Sequence, residues 1–387
     1  MTMLAQSDAI SSVSPKLGER MLRHKPVRVM VVDDSAVVRG LVSRWIEEEP
    51  GLEVVARHPN GKFAVEDVAR SAPDVVLLDI EMPVMDGLEA LPLLLKARPG
   101  VRVLMVSTLT KRNAEISFQA LALGAFDYVP KPDTNREITI SPDFHQEVIR
   151  KIKALGRARI AGGFPGRTKG VEPLTARLGE AARERFNRRP FSLVPPRAIA
   201  IGSSTGGPEA LGHLLGALSP SLDRTPVLVA QHMPPMFTTI LAERLQRTTG
   251  REAREGLDGE PLKPGTIYVA PGNHHMTVVR SGVSRLRISS DPPVHFCRPS
   301  VDPLFTSLAS EFGPAAMGIV LTGMGYDGAA GARAIADTGG SIIAQDEASS
   351  VVWGMPGAAA AVGACAALLP PVEIAATVAK LLKGERP

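Results

Sequence analysis

Short apolar runs that alternate with helical patterns are the feature of this sequence that most restricts its fold. Between Val27 and Lys131 there are five such runs, within VRVMVV, LEVVAR, DVVLLD, VRVLMVS and FDYVPKP. Continuous apolar runs of this length, separated by helices, are typical of parallel strands covered by helices on both faces. The first part of the chain is therefore predicted to be a complete, doubly wound α/β domain.

A second alternating series begins at Arg197. Its candidate strands lie in AIAIGS, PVLVAQH, TIYVAPG, AMGIVLTG and SIIAQD, with a hairpin-like HMTVVRSGVSRLRIS between the third and the fourth. This pattern predicts a second α/β domain that is Rossmann-like and mostly parallel, with some antiparallel strands. The chain is accordingly divided into an N-terminal extension (1–26), a first α/β domain (27–145), a linker (146–195) and a second α/β domain (196–387).

Most of the positive charge of the chain lies in the predicted linker. The segment from Lys151 to Pro190 has 11 Lys or Arg residues and 3 acidic ones, a local net charge of +8 in a chain whose formal net charge is +4. The segment is also rich in Gly and Pro, and it allows one short helix near Ala176 to Phe186. This composition favours a solvated linker over a phosphate-binding arm, so no nucleic-acid partner is expected.

Two further features restrict the compartment. Two cysteines, Cys297 and Cys365, cannot form a disulfide framework and are expected to be reduced thiols. The N-terminus lacks the apolar core of a signal peptide, and no apolar segment approaches the ~20 residues of a membrane span. We therefore expect a cytoplasmic protein without direct membrane insertion.

Polar side chains follow the predicted strands of the first domain: Asp33, Asp34, Asp79, Ser107 and Lys131. The carboxyl ends of parallel strands meet at one edge of the sheet, where three carboxylates would require a cation such as Mg²⁺. A lysine and a hydroxyl could bind a phosphoryl group there, and Asp79 could accept one as an acyl phosphate. Taken singly, each residue has a structural explanation, such as helix capping by Asp34 or Ser35.

The string LLDIEMPVMDGLEAL resembles the receiver domain of bacterial two-component response regulators. The resemblance covers about residues 27 to 145 and implies a flavodoxin-like fold. It implies that Asp79 is phosphorylated and that Mg²⁺ is bound by Asp33 and Asp34 together with Asp79. It also implies roles for Ser107 as switch hydroxyl, Tyr128 as switch aromatic residue and Lys131 as phosphate-contacting lysine.

The second domain opens with a loop that contains two adjacent serines, in AIGSSTGGPEAL. The loop has no lysine after its glycines, and its spacing does not fit a dinucleotide fingerprint. It does fit G-x-S-x-G, with Ser204 at the centre of a strand-to-helix turn and Ser203 beside it. A glycine-rich turn of this kind is also a common structural feature, so a nucleophile requires a base and an acid elsewhere.

Candidate partners for a nucleophilic serine lie at other strand ends. His232 follows PVLVAQ directly, and Asp327 lies in the glycine-rich loop after AMGIVLTG, so both could converge on Ser204. The order Ser, His, Asp differs from that of α/β-hydrolases, which indicates a different fold. Other histidines compete with His232 as the base, namely His274, His275 and His295. Residues 296–305 are interpreted as a loop into a helix capped by Ser300, with Arg298 a candidate for attracting a carboxylate-rich substrate surface.

Several motifs together resemble the catalytic domain of the CheB family of chemotaxis protein-glutamate methylesterases. They are AIGSSTGGPEAL, AQHMPP, YVAPGNHHM, RPSVD, VLTGMGYDGAAG and AQDEASSVVWGMP, within residues 196 to 385. The resemblance implies that Ser204 is the nucleophile, His232 the general base and Asp327 the orienting acid, with the Met324 backbone amide as an oxyanion donor. The chain departs from the family at Ser203, where alanine is usual, and at Tyr326, where asparagine is frequent.

The two resemblances imply a phosphorylation-activated hydrolase that removes methyl esters from receptor glutamates and deamidates receptor glutamines. The expected partners are methyl-accepting chemotaxis receptors and the histidine kinase CheA, and the expected cofactor is Mg²⁺ at the receiver, with none for ester hydrolysis. We also expect a monomer. The competing hypotheses are a receiver-linked DNA-binding regulator and a non-catalytic adaptor that retains the esterase fold.

Overall fold

The computed structural model describes residues 25–108, 110–132, 141–160 and 189–387. The predicted short helix at 176–186 and most of the N-terminal extension lie outside these residues. Within them, the chain forms two α/β units, each built on a parallel sheet.

The first unit has five parallel strands in the order β2-β1-β3-β4-β5, which is the flavodoxin-like order. The strands are β1 (Val27–Val32), β2 (Leu52–His58), β3 (Val75–Asp79), β4 (Arg102–Thr108) and β5 (Asp127–Lys131). The helices are α1 (Ala36–Glu48), α2 (Gly61–Ser71), α3 (Gly87–Ala97), α4 (Lys111–Ala122) and α5 (Pro142–Ile160). All five strands coincide with the predicted apolar runs, and the predicted fold class is confirmed.

Helix α5 extends beyond the predicted end of the first domain. Phe144, Val148 and Ile152 recur every four residues, and all three are buried in the core beneath the first sheet. Lys151 is also buried, donating to Tyr128 O at 2.6 Å and lying 2.9 Å from Asp127 Oδ2. The boundary predicted at residue 145 therefore falls inside a helix of the first unit, and Lys151 does not belong to a solvated linker.

The second unit contains a seven-stranded parallel sheet with the order β14-β13-β12-β6-β7-β9-β8, and a separate antiparallel hairpin, β10-β11. The strands are β6 (Ala198–Ser203), β7 (Val227–Gln231), β8 (Ala253–Glu255), β9 (Ile267–Val269), β10 (His275–Ser281), β11 (Val283–Ser289), β12 (Ala316–Val320), β13 (Ser341–Gln345) and β14 (Ala367–Leu369). The helices are α6 (Gly207–Leu218), α7 (Phe237–Thr249), α8 (Val301–Phe312), α9 (Ala329–Asp337), α10 (Met355–Ala361) and α11 (Pro371–Leu382). The mostly parallel sheet and the hairpin agree with the prediction.

Strand β6 is central to the position of the candidate site. It pairs with β7 on one side and β12 on the other, with Ser203 opposite Gln231 and Gly202 opposite Val320. The loops that leave these three strands therefore adjoin at one edge of the sheet, the usual position of ligand sites in open α/β folds.

The two units pack against each other through α4, β5 and α7. The rings of Tyr128 and Phe237 are stacked, with centroids 4.4 Å apart and an interplanar angle of 7°. The guanidinium of Arg244 donates to Phe118 O at 2.9 Å and lies over the Phe118 ring. The apolar core on the other face of the first sheet, which includes Tyr128, thus continues into the second unit. In the part of the chain that the structure describes, no helix has the length and apolarity needed to cross a bilayer.

Candidate active site

Ser204 lies in the turn that joins β6 to α6. Its backbone N–H donates to Thr322 O at 3.1 Å, which holds the turn against the loop that follows β12. Gly206 has a φ of 74°, in the left-handed region that favours glycine, and Pro208 occupies the first turn of α6. The serine is thereby held at the carboxyl end of the central strand.

The neighbouring Ser203 has a structural environment. It is fully buried, and its hydroxyl donates to Gln231 Oε1 at 2.6 Å. The Gln231 amide in turn donates to Ser204 O at 2.9 Å. A Cβ at Gly207 would lie 2.1 Å from Gln231 Oε1, so only glycine leaves room for this side chain. Ser203 and Gln231 therefore stabilise the turn through these buried hydrogen bonds. The Ser204 hydroxyl takes no part in them.

His232 and Asp327 form a buried pair. His232 Nε2 lies 2.7 Å from Asp327 Oδ2. The backbone N–H of His232 donates to Ser203 O at 3.1 Å, so the loops after β6 and β7 adjoin. The start of α8 holds the carboxylate with three donors, which are the Ser300 hydroxyl at 2.8 Å and the N–H groups of Val301 and Asp302 at 2.7 and 3.0 Å.

This arrangement corrects the prediction for Ser300. The residue does occupy the N-cap position of α8, but its side chain makes no capping hydrogen bond to the helix. Asp327 instead accepts from the first N–H groups of α8, because a buried carboxylate is stabilised at a helix N-terminus. The helix start is thus part of the candidate site.

The environment of the pair favours a charged carboxylate and a basic imidazole. Burial alone would raise the pKa of Asp327, but the hydrogen bonds from His232, Val301 and Ser300 hold it below its usual value. Burial likewise opposes the charged form of His232, yet the hydrogen bond to Asp327 and the contact with Cys297 raise its pKa to about 9. The imidazole is therefore oriented by a carboxylate and is a strong base.

The second ring nitrogen of His232 contacts a cysteine. Cys297 Sγ lies 3.5 Å from His232 Nδ1, while Asp327 occupies Nε2. Among the described residues, no hydrogen bond joins the Ser204 hydroxyl to His232. The structure thus places serine and histidine on adjoining loops, with the free imidazole nitrogen directed to Cys297.

The competing histidines have other partners. His274 Nδ1 lies 3.1 Å from Gly272 O, and the buried His275 lies between Pro292 O and the Ser300 N–H. His295 Nε2 lies 2.9 Å from Asp302 Oδ2. The guanidinium of Arg298, a candidate for substrate attraction, donates to the side chain of Asn273 and to the carbonyl oxygens of Ser290 and Asp291.

The loop after β12 provides a candidate oxyanion donor. Gly323 packs so closely on Ser204 that a Cβ there would lie 2.9 Å from the serine Cβ. The backbone N–H of Met324, the next residue, donates to no acceptor within the described parts of the chain. An unused amide beside the serine turn is the kind of group that stabilises a developing oxyanion.

The carboxyl edge of the first sheet brings the predicted acidic residues together. Carboxylate oxygens of Asp33, Asp34 and Asp79 all lie within 4.8 Å of one another. Lys131 Nζ lies 2.9 Å from both Asp33 Oδ2 and Asp79 Oδ2. Burial, together with repulsion from Asp33, raises the pKa of Asp79 to about 7 despite Lys131. Three oxygen ligands with surplus negative charge fit a hard divalent cation such as Mg²⁺.

Two residues assigned to the switch lie apart from Asp79. The buried Ser107 hydroxyl is 3.3 Å from the carbonyl oxygens of Thr108 and Asn113, and it makes no hydrogen bond to Asp79 in the described structure. Tyr128 is buried, with its ring between Phe237 and the ammonium group of Lys151. The residue predicted to be the switch aromatic thus lies in the contact between the two units.

Comparisons with known proteins agree with both resemblances. The family description "CheB methylesterase" matches residues 199–378, and "Response regulator receiver domain" matches residues 29–141. The chain is 51% identical over 378 residues to a protein-glutamate methylesterase/protein-glutamine glutaminase of Bradyrhizobium diazoefficiens, covering 93% of this chain and 95% of that protein. It is 52% identical over 366 residues to the protein of the same name from Nitrobacter hamburgensis, covering 94% and 96%.

The chain belongs to the CheB family of protein-glutamate methylesterases. The family assignment made from the motifs is therefore confirmed, as is the receiver domain that precedes the catalytic one. Among solved structures, the CheB methylesterase catalytic domain of Thermotoga maritima is 36% identical, with a TM-score of 0.47, covering 49% of this chain and all of that domain.

Three residues at this CheB-family site were not identified as functional from the sequence. From the sequence, Gln231 is only the residue before His232, Cys297 is expected to be a reduced thiol and Ser300 a helix cap. Their roles arise from strand register and loop contacts between distant parts of the chain. In the sequence, the position of Gln231 beside His232, at the end of an apolar strand, is the feature that could have indicated a role for Gln231.

Proposed function

We propose that this chain is a phosphorylation-activated serine hydrolase. It demethylates glutamate methyl esters on methyl-accepting chemotaxis receptors, releasing methanol, and deamidates receptor glutamines to glutamate. The buried Asp327–His232 pair, formed by the loops after β12 and β7 that adjoin the Ser204 turn, is the observation that carries the proposal. Relatives about half identical over nearly the whole chain are named for these two activities, which supports it further.

The proposed reaction uses the nitrogen of His232 that Asp327 leaves free. His232 Nδ1 takes the proton of the Ser204 hydroxyl as its oxygen attacks the γ-carbonyl carbon of the ester. The resulting imidazolium returns that proton to the departing methoxide, so methanol leaves and an acyl-serine remains. Water, deprotonated by His232, then hydrolyses the acyl-serine to glutamate and free serine. With a glutamine side chain the same steps release ammonia.

Two groups support these steps. Asp327 keeps the proton on Nε2 and stabilises the imidazolium, a role whose loss costs about 10⁴-fold in comparable triads. The Met324 amide faces the oxyanion of the tetrahedral intermediate, and one such donor is typically worth about 10²–10³-fold. For Ser204 to react, the imidazole has to exchange its Cys297 contact for the serine hydroxyl.

The receiver controls this chemistry. Asp33, Asp34 and Asp79 would hold Mg²⁺, which supplies positive charge for phosphoryl transfer to Asp79. Lys131 contacts the phosphoryl group, and Ser107 moves to bind it. The phosphodonor is the histidine kinase CheA. These proposals rest on the clustered carboxylates and on the receiver match.

Phosphorylation acts on the contact between the two units. A cleft of about 470 Å³ between them is lined by Gly206 and Thr322 of the catalytic unit and by Phe126 of the receiver. The receiver thus borders the turn that holds Ser204. A phosphoryl group that repositions Ser107 and Tyr128 shifts the arrangement towards one in which the receptor reaches the serine. The active form is a cytoplasmic monomer.

Methanol release from methylated receptor tests the proposal. The Ser204→Ala variant is expected to release none, whereas wild-type protein with Mg²⁺ and a small-molecule phosphodonor is expected to release more than without the phosphodonor. Asp79→Asn is expected to retain basal release and lose the increase. Methanol release by Ser204→Ala would contradict the assignment of Ser204 as the nucleophile. An increase with phosphodonor retained by Asp79→Asn would contradict the assignment of Asp79 as the regulatory phosphorylation site.

The two competing hypotheses are disfavoured by particular observations. A DNA-binding regulator needs an output domain that presents a helix to a groove, but residues 198–382 form a seven-stranded sheet with flanking helices. A non-catalytic adaptor does not require the buried Asp327–His232 pair. An adaptor would bind receptor and release no methanol with either form of the receiver.

A further inference from the structure

A two-residue turn lies beside the catalytic histidine. Val294 and Cys297 exchange both of their backbone hydrogen bonds, at 3.1 and 2.9 Å. The two residues between them, His295 and Phe296, have φ values of 52° and 61°. Turns with two left-handed residues normally use Asn-Gly, because a Cβ is unfavourable in this conformation. A histidine and a phenylalanine in these positions therefore strain the backbone.

The side chain of Phe296 is also unfavourably placed. Its exposure, 101%, is the highest of any large apolar residue in the described parts of the chain. Single exposed apolar side chains are common on protein surfaces. Here, however, a fully exposed ring coincides with a strained backbone, and strain of this kind is characteristic of functional sites.

Of the two neighbours of Phe296, Cys297 contacts His232 directly and His295 is linked to Asp327 through Asp302. Cys297 Sγ lies 3.5 Å from His232 Nδ1, and His295 is bonded to Asp302, whose N–H donates to Asp327. The ring of Tyr326, the residue before Asp327, packs edge-on against His295 with centroids 4.6 Å apart. Tyr326 is itself 60% exposed. His295, Phe296 and Tyr326 together form what we term the aromatic rim.

The aromatic rim is separate from the contact with the receiver. The receiver packs on α7 and on the cleft beside Gly206, and Phe296 remains fully exposed while it does so. A rigid aromatic side chain presented to solvent next to a reaction centre is suited to insertion between apolar side chains of a partner.

We propose that Phe296 anchors the receptor segment that carries the esterified glutamate. The ring inserts between apolar side chains of that segment, and the strained turn fixes the ring relative to His232. Phe296 thereby determines which receptor segments reach Ser204. This inference rests on the proposed methylesterase function, since it names the residue that recognises the substrate of that reaction.

Phe296→Gly is the discriminating variant, because glycine suits the left-handed backbone and removes only the ring. Its thermal midpoint is expected to equal or exceed that of the wild type. Its kcat/KM for methylated receptor is expected to fall about tenfold or more, through KM, as for an interface anchor. Phe296→Tyr keeps an aromatic ring and is expected to retain most of kcat/KM. The increase produced by the phosphodonor is expected to keep its wild-type ratio in both variants.

Three outcomes would overturn the inference. One is a wild-type KM for Phe296→Gly. Another is a loss confined to kcat, which would make the turn a support for His232 alone. The third is a changed ratio of activity with and without the phosphodonor, which would assign the ring to the receiver contact. Ser204→Ala, measured in parallel, separates these outcomes from a failure of the methylesterase function itself.

Discussion

At the residue scale, the two adjacent serines have opposite environments. Ser203→Ala is expected to retain most methanol release, because its hydroxyl braces Gln231 and does not reach the crevice. The buried Gln231 oxygen would lose its donor, so we expect the free energy of unfolding to fall by about 1–3 kcal/mol. Ser204→Ala is expected to abolish release with little change in stability. Denaturant unfolding and methanol assays on both variants test this, and an equally deep loss of release in Ser203→Ala would contradict it.

Also at the residue scale, Cys297 is predicted to set the pH dependence of catalysis. His232 acts as a base only when neutral, and its pKa is raised to about 9, so kcat/KM should rise with pH up to that region. Because the contact with Cys297 raises this pKa, Cys297→Ala should lower it and displace the rise in kcat/KM to lower pH. Asp327 remains as the other group that raises it.

The pH–rate profile of methanol release measures this displacement. Cys365→Ala is the matched control, since Cys365 is fully buried elsewhere in the second unit and burial alone raises the pKa of its thiol to about 12. The control profile should coincide with the wild type. A Cys297→Ala profile displaced to higher pH would show that the thiol instead stabilises the neutral imidazole.

At the element scale, the turn between β6 and α6 is predicted to require glycine at position 207. An alanine Cβ there would meet Gln231 Oε1 at 2.1 Å and the Ser203 Cβ at 2.9 Å, so Gly207→Ala has to displace the bracing side chain. Overpacking of this kind typically costs about 1–3 kcal/mol. We expect a lower thermal midpoint together with reduced methanol release, because Gln231 also holds Ser204 O.

A second glycine of the same helix provides the comparison. A Cβ at Gly212 would meet no atom within 4 Å, so Gly212→Ala should stabilise α6 by about 0.5–1 kcal/mol through backbone entropy alone. Thermal melts of the two variants should therefore move in opposite directions. Equal destabilisation by both would mean that the turn is no more restrictive than the helix surface.

The elements also show which parts of the structure are visible in the sequence. Strands β1 to β7 and β9 to β13 lie within the predicted segments, because most of them are apolar runs of five to seven residues. The three-residue strands β8 and β14 were not predicted, whereas the equally short β9 was, because it lies within the longer apolar string TIYVAPG. The rule that functional groups follow strand ends located His232 and Asp327. The contacts of Gln231 and Cys297 depend on register and on loop packing, which no local pattern encodes.

At the scale of the whole molecule, the contact between α4 and α7 is predicted to restrain the enzyme. Arg244 donates to Phe118 O at 2.9 Å and lies over its ring, linking the receiver to the helix that follows His232. Removing this link should favour separation of the units without touching catalytic groups. Arg244→Ala is therefore expected to raise methanol release in the absence of a phosphodonor about two- to tenfold.

Arg247 lies with Arg244 and Phe118 in the groove between α4 and α7, and it makes no hydrogen bond or ion pair within the described residues, so Arg247→Ala is the matched control. Its basal release should equal that of the wild type. Fully phosphorylated Arg244→Ala and wild-type protein should have the same activity, because the contact acts before the units separate. A lower rate of the phosphorylated protein in Arg244→Ala, with an unchanged basal rate, would instead show that α7 supports the active form. The restraint on the enzyme would then have to lie in the stacked Tyr128–Phe237 pair or in the cleft beside Gly206.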